Sequence, residues 1–148
     1  MNFPDKIEAM NQFQRVITLH PTEIFADRSR LQIARMHLVR KEYVAALDTL
    51  NGIVERRNDD LAAEALLLMG ENYLSLKKPK DALQAFQDVV NQYAEFPLLV
   101  ERGRLGAGEC YERLRDRARA RAMYQEIVKS GVDPGIRKDA QTRLKRMR

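Results

Sequence analysis

Few residues in this sequence have the type and spacing for covalent or metal chemistry. His20 precedes Pro21, and His37 sits in a segment of helical apolar period; neither has a Cys or carboxylate at ligand spacing, so no metal site is expected. Cys110 is the only cysteine, which excludes an internal disulfide framework and a paired-thiolate zinc site. It follows Glu109 inside an apolar stripe and reads as a small buried core residue, not a nucleophile. Gly103-x2-Gly106-x-Gly108 falls in the middle of a helical pattern, where it cannot cradle a phosphate, and no phosphate-loop motif occurs elsewhere. Close helix packing explains those glycines better. The adjacent carboxylates Asp59 and Asp60 read as a helix start, where negative charge meets the helix dipole. No catalytic residue and no cofactor is expected, and the chain is not expected to be an enzyme.

Binding chemistry is better represented. The net charge is +5, yet residues 1–96 carry −2 and residues 97–148 carry +7. Arg113, Arg115, Arg117, Arg119 and Arg121 alternate through one segment, and Arg143, Lys145, Arg146 and Arg148 end the chain. Two readings stand side by side: solvated helix faces, or electrostatic attachment to anionic lipid or RNA. Nucleic acid is not expected, because aromatic platforms are needed among the charges and the nearby Tyr111 and Tyr124 fall on packing positions.

Such residues must be positioned by elements, and the composition restricts which. The chain has 148 residues, 45% apolar and 32% charged, enough for one ordinary domain and too apolar for disorder. Seven Gly and five Pro are too few for a β-sandwich. With no Trp and ten Phe plus Tyr, the core must be aliphatic. The longest purely apolar run, residues 65–69, is far short of a membrane span. Residues 1–10 include Asp5, Lys6 and Glu8 and no apolar stretch, so no signal peptide is expected there; the compartment, periplasmic or cytoplasmic, stays open.

The strongest signal is internal repetition. Leu66, Met69, Gly70 and Tyr73, then Ala82, Phe86, Val89 and Val90, follow helical spacing on either side of Pro79. The order recurs 38 residues later as Gly108, Tyr111, Ala120, Tyr124 and Ile127. It occurs 36 residues earlier as Ala34, His37, Ala46, Leu50 and Ile53, with a half copy at Ala9, Phe13 and Val16. A small residue at i and a large one at i+4 share a helix face, so each unit is a helical hairpin whose apolar stripe needs a neighbour.

Punctuation sets the boundaries. Pro4 opens the first helix, His20–Pro21 closes it, and Thr22 is the expected N-cap of the second. Residues 58–60 break the chain; Pro79, Pro97 and Pro134 suit first helical positions; Ser130–Gly131 reads as a helix end with Gly at C′. Helices are predicted over 4–19, 22–39, 43–57, 60–76, 79–93, 97–114, 117–130 and 134–147. Asn51–Gly52 is a hairpin-turn dipeptide, but helical period runs straight through it, so the helix is kept.

The unit Leu66-x2-Met69-Gly70-x2-Tyr73, Ala82-x3-Phe86, Ala94 resembles the tetratricopeptide repeat, with Ala94 where that family has Pro. The third copy has Arg104 at its first anchor, beside Leu105; the first has Arg30 there and His37 in place of Tyr. The resemblance implies an all-α, right-handed stack of antiparallel helical hairpins: a half repeat at 4–19, repeats at 22–58, 60–95 and 97–133, and a polar capping helix at 134–148. The 36–38-residue spacing, with extra residues around 95–98, is similar to a periplasmic subgroup that serves the Tol-Pal system and outer-membrane assembly.

The resemblance also implies where a partner sits. The first helix of each hairpin lines a concave face through Arg28, Leu31, Arg35 and Leu38; then Glu64, Leu67, Glu71 and Leu74; then Arg102, Leu105, Glu109 and Glu112. Leu31, Leu67 and Leu105 would form an apolar ladder, with Arg35, Glu71 and Glu109 setting register. The carboxylate clamp of some co-chaperones of the family, Lys then Asn, is replaced here by Leu and by Arg or Glu. The expected function is a non-catalytic scaffold that binds a protein or peptide. The first helix lacks a mate, so its open edge is a second expectation, as a surface for self-association.

Overall fold

The computed structural model describes residues 3–21 and 23–147. Among them the regular elements are α1 (Phe3–Leu19), α2 (Ile24–Val39), α3 (Tyr43–Arg56), α4 (Asp60–Ser75), α5 (Pro79–Gln92), α6 (Pro97–Arg113), α7 (Arg117–Ser130) and α8 (Pro134–Arg146). The all-helical expectation holds, with boundaries within two residues of those read from the sequence. Pro79, Pro97 and Pro134 each open a helix, where the missing N–H has no partner to lose. Thr22 lies outside the described residues; Glu23 stands at the N-cap of α2. Helix α3 passes through Asn51–Gly52 without a break, because the turn dipeptide is outweighed by buried Ala46, Leu50 and Ile53 on one face.

The turns inside the hairpins share a device that the sequence did not announce. Lys41, Lys77 and Arg115 adopt φ of 62°, 58° and 62°. After α4, Lys77 N–H donates to Leu74 O (3.0 Å) and Lys78 N–H to Tyr73 O (2.8 Å). The same pair of bonds closes α2, from Lys41 and Glu42, and α6, from Arg115 and Asp116. This is the Schellman ending, made with basic residues where glycine is usual. Gly131 ends α7 differently. The expected helix end at Ser130–Gly131 is found, with Gly131 extended at φ −67° and ψ 140°. Glycine is needed there for room, since a Cβ would collide with the Glu101 carboxylate and the Ile127 carbonyl.

Contacts divide the chain into two compact units, Met1–Ala65 and Leu66–Arg148, with the boundary inside α4. In the first, α1 packs on α2 and α2 on α3; Ala26, Leu31, Ile33, Ala34, Ala46, Leu50 and Ile53 are buried. In the second, α5 packs on α6, α6 on α7, and α7 on α8, over Phe86, Val89, Ala107, Tyr111, Tyr124 and Ile127. The small–large pairs behave as their spacing requires. Ala46/Leu50, Ala82/Phe86 and Ala120/Tyr124 are all buried, whereas Ala9 and Phe13 are half-buried. Gly70 and Gly106 both meet the Phe86 ring, and Gly108 meets that of Tyr124, so the glycine-rich segment serves close helix approach.

Candidate functional site

The surface expected to meet a partner is built on the first helix of each hairpin. In the first unit, Arg28 is exposed, Arg35, Leu38 and Glu64 are half-buried, and Leu31 is 3% exposed. Arg28, Leu31 and Glu64 come together in a cleft of about 610 Å³ between α1, α2 and the start of α4. Phe13, Val16 and Leu61 supply its apolar wall, with Asp60 and the 59%-exposed Phe25 beside them. Phe25, Phe13 and Val16 were not assigned to the site from the sequence. Phe25 adjoins the expected face in the first turn of α2, and a large apolar residue there was the available signal.

The apolar ladder is corrected. Leu67 is 1% exposed and Leu74 8%, and with Leu31 they are core residues; Leu105 and Leu38 are half-buried. Helical spacing alone did not distinguish groove from core at these positions. The charged members are paired with one another. Arg35 Nη2 donates to Glu64 Oε2 at 2.9 Å, and Arg102 Nη2 lies 3.7 Å from Glu71 Oε1. Glu109 accepts from Arg113 (2.8 Å) and faces Arg143 (3.7 Å). These pairs link first helices of successive hairpins or, for Glu109, α6 to itself and to α8.

Beneath that face lies a set of buried acids. Asp27, 2% exposed, accepts from Arg30 Nη1 (2.8 Å), Arg56 Nη2 (2.9 Å) and Arg57 Nη1 (3.4 Å), tying α2 to the end of α3. Burial works against its charge, but the hydrogen bonds and charges of Arg56 and Arg30 outweigh it and hold its carboxyl below the usual range. Asp59 is also lowered, chiefly by Arg57, and its side chain accepts from the Ala62 N–H at the start of α4. Glu101, 2% exposed, accepts from the Asp133 N–H at 3.0 Å and so fixes the turn into α8. Asp116 and Asp133 cap α7 and α8 through the N–H groups of Arg119 and Ile136, roles the sequence reading did not assign.

The residues considered for chemistry are placed as packing and surface groups. Cys110 is fully buried, and burial, helped by the charge of Glu109, pushes its thiol up to about 12. Contrary to expectation, each histidine has a carboxylate beside it: His20 Nδ1 is 3.3 Å from Glu23, and His37 Nδ1 meets Glu42 across the hairpin turn. Chain reversal at each turn brings those acids close. Much of the arginine cluster is engaged internally. Arg117 and Arg121 donate to the Met147 carbonyl, Arg119 lies over the Tyr111 ring, and Arg143 touches Tyr124, Glu112 and Asp139. Arg148 lies outside the described residues.

Two segments of the sequence, residues 64–95 and 103–130, match the family model for the tetratricopeptide repeat. The fold as a whole is similar to the crystal structure of MamA, with a TM-score of 0.68 at 15% identity, covering 99% of this chain and 93% of that one. The hairpin-stack fold class read from the sequence is thereby supported, while the resemblance to the Tol-Pal and outer-membrane subgroup is not. The 38-residue interval contains the connection after α5, where Phe96 N–H closes a turn on Tyr93 O. No curated protein matches the sequence significantly. Tetratricopeptide repeats generally mediate protein–protein interaction and are generally non-enzymatic. Among the described residues, no helix is long and apolar enough to cross a membrane.

Proposed function

We propose that this chain is a non-catalytic scaffold that captures a helix or extended segment of a protein partner on the first-helix face. The carrying observation is the cleft lined by Phe13, Phe25, Arg28, Leu31 and Glu64: an apolar floor with one cation and carboxylates at its edge. Such a lining suits a peptide with an apolar anchor flanked by mixed charge. Within the first unit, Arg35 is a neighbouring group that would exchange its ion pair with Glu64 for a partner charge. In that unit Leu38 contributes partial apolar surface, and Leu31 shapes the cleft from beneath. The anionic-surface reading is weaker, because Arg117, Arg119, Arg121 and Arg143 already have partners within the chain.

The test is selection of displayed peptides of random sequence against the folded chain, followed by titration of the selected peptides. Arg28→Glu and Phe25→Ala should each weaken binding about ten-fold without loss of helicity. Selected peptides that bind both variants as well as the parent would overturn the cleft assignment.

A further inference from the structure

The hairpin turns of the second unit carry charge at a local cost. Lys77 and Arg115 follow α4 and α6 in the left-handed conformation, φ 58° and 62°, which glycine adopts without strain and a side chain does not. Lys78 is the N-cap of α5 and Lys80 lies in its first turn, the positive end of the helix dipole, which disfavours a cation. Their side chains are exposed, and none has a hydrogen bond or ion pair among the described residues. They therefore contribute nothing to the interior that would offset the strain and the repulsion. The packing of α5 on α6 gathers them. Gly103 of α6 meets Val89 and Val90 of α5, Gly106 meets Phe86, and Leu83 packs on the cluster of Tyr111. The two helices are thus antiparallel, so the start of α5 lies beside the end of α6 and both turns share one edge of the unit. Of the acids nearby, Asp116 caps α7 and Glu112 meets Tyr124 and Arg143, whereas Asp81 is exposed. In the first unit Lys41 repeats the left-handed cation, at φ 62°.

We propose that this edge of the second unit attaches the chain to the surface of an anionic lipid bilayer. Lysine presents a strongly hydrated point charge on a flexible stem, which suits a continuous field of headgroup charge. Leu76 and Leu114, half-buried just before the left-handed cations, add a shallow apolar contact. Single-stranded nucleic acid is a poorer occupant, because stacking needs open aromatic faces. Tyr111, near this edge, is 8% exposed, lies under Arg119 and accepts from Gln87. The attachment does not depend on Arg117, Arg119, Arg121 or Arg143, which have partners within the chain. Nor does it involve the cleft of the proposed function, which lies in the first unit.

The full chain is cosedimented with vesicles of phosphatidylcholine and phosphatidylserine in equal parts, and with phosphatidylcholine alone, at rising salt. Binding is expected on the anionic vesicles only, and it should fall as salt rises. The double variant Lys77→Gly/Arg115→Gly removes two cations from positions that favour glycine. It should be at least as stable as the parent in thermal melts, while its partition onto the anionic vesicles falls about thirty-fold. A defect in folding would move stability and binding together; here they move apart. Lys129→Gln/Lys138→Gln removes the same charge from exposed positions at the end of α7 and near the start of α8. These lie at the opposite edge, since Arg117 at the start of α7 meets Met147 at the end of α8. That variant should bind within about two-fold of the parent, because screening confines the attraction to charges near the bilayer. Equal binding to neutral vesicles, equal loss in both double variants, or a folded Lys77→Gly/Arg115→Gly chain that binds like the parent overturns the proposal. So does displacement from the vesicles by polyuridylate whose own binding needs Lys77 and Arg115, since the edge would then serve nucleic acid.

Discussion

Glycine positions show how little room single residues have in this fold. Gly70 and Gly106 touch the Phe86 ring from opposite sides, so the ring has nowhere to retreat when either gains a methyl group. Gly70→Ala is expected to cost about 1–3 kcal/mol by overpacking, against the gain of about 1 kcal/mol that alanine would bring to an open helix. Urea denaturation measures the sum, and a stabilised variant would show that α4 and α5 yield more easily than their packing implies. Cys110 provides a second test at this scale. Its buried thiol is raised to about 12, so the folded state keeps a proton that the unfolded chain releases above about pH 8.5. Its contribution is therefore complete below that pH and lost as pH rises toward 12. Tyr124, raised by burial and by Glu112, adds to the same alkaline loss. Between about pH 8.5 and 10.5, Cys110→Ala should lose less stability than the parent, by on the order of 2 kcal/mol. Native Cys110 should also resist thiol reagents until the chain unfolds.

Among the elements, the helix ends and the one helical turn dipeptide separate two uses of glycine. Lys77 adopts a conformation that favours glycine, and its backbone bonds do not involve its side chain. Lys77→Gly is expected to raise stability by about 0.5–1 kcal/mol, the relief of left-handed strain less the entropy of glycine in the unfolded chain. Gly52 is the converse case. It lies inside α3 with ordinary helical dihedrals, and an added Cβ would meet only the tip of Arg56 at 3.1 Å. Gly52→Ala should therefore stabilise by about 1 kcal/mol. Thermal melts of the two single variants and their combination provide the check; the sites share no partner, so the gains should add.

Across the whole molecule, stability and binding have to be separated before any variant is interpreted. Leu67 was chosen from repeat position as a partner contact, but at 1% exposure it is a core residue. Leu67→Glu should unfold or severely destabilise the chain, by on the order of 4 kcal/mol or more, because a carboxylate at that buried position would lose its water. Circular dichroism should show lost helicity or a sharply lowered melting temperature. A folded, stable variant would return Leu67 to the binding face. Phe25 and Arg28 are exposed, so substituting them tests the proposed binding with the fold left standing.

The helices of the described residues and their boundaries were legible in the sequence, because Pro79, Pro97, Pro134 and the recurring Ala-x3-large pairs act locally, through backbone sterics and helical period. The same local logic kept α3 intact through Asn51–Gly52. It also assigned Gly103, Gly106 and Gly108 to packing, because they fall in mid-helix; Gly106 and Gly108 meet aromatic rings and Gly103 meets Val89 and Val90. What remained hidden depends on atoms distant in the chain. Nothing local shows that Leu31 and Leu67 are enclosed while Phe25 is left open, that Gly131 is glycine to admit Glu101, or that Arg35 meets Glu64. The turns at Lys41, Lys77 and Arg115 carry no glycine to mark them, and the hydrogen bonds that hold them form only once α2, α4 and α6 have ended. Repeat position determines which residues share a face. Only the packing of one helix against the next determines how much of that face water, or a partner, can reach.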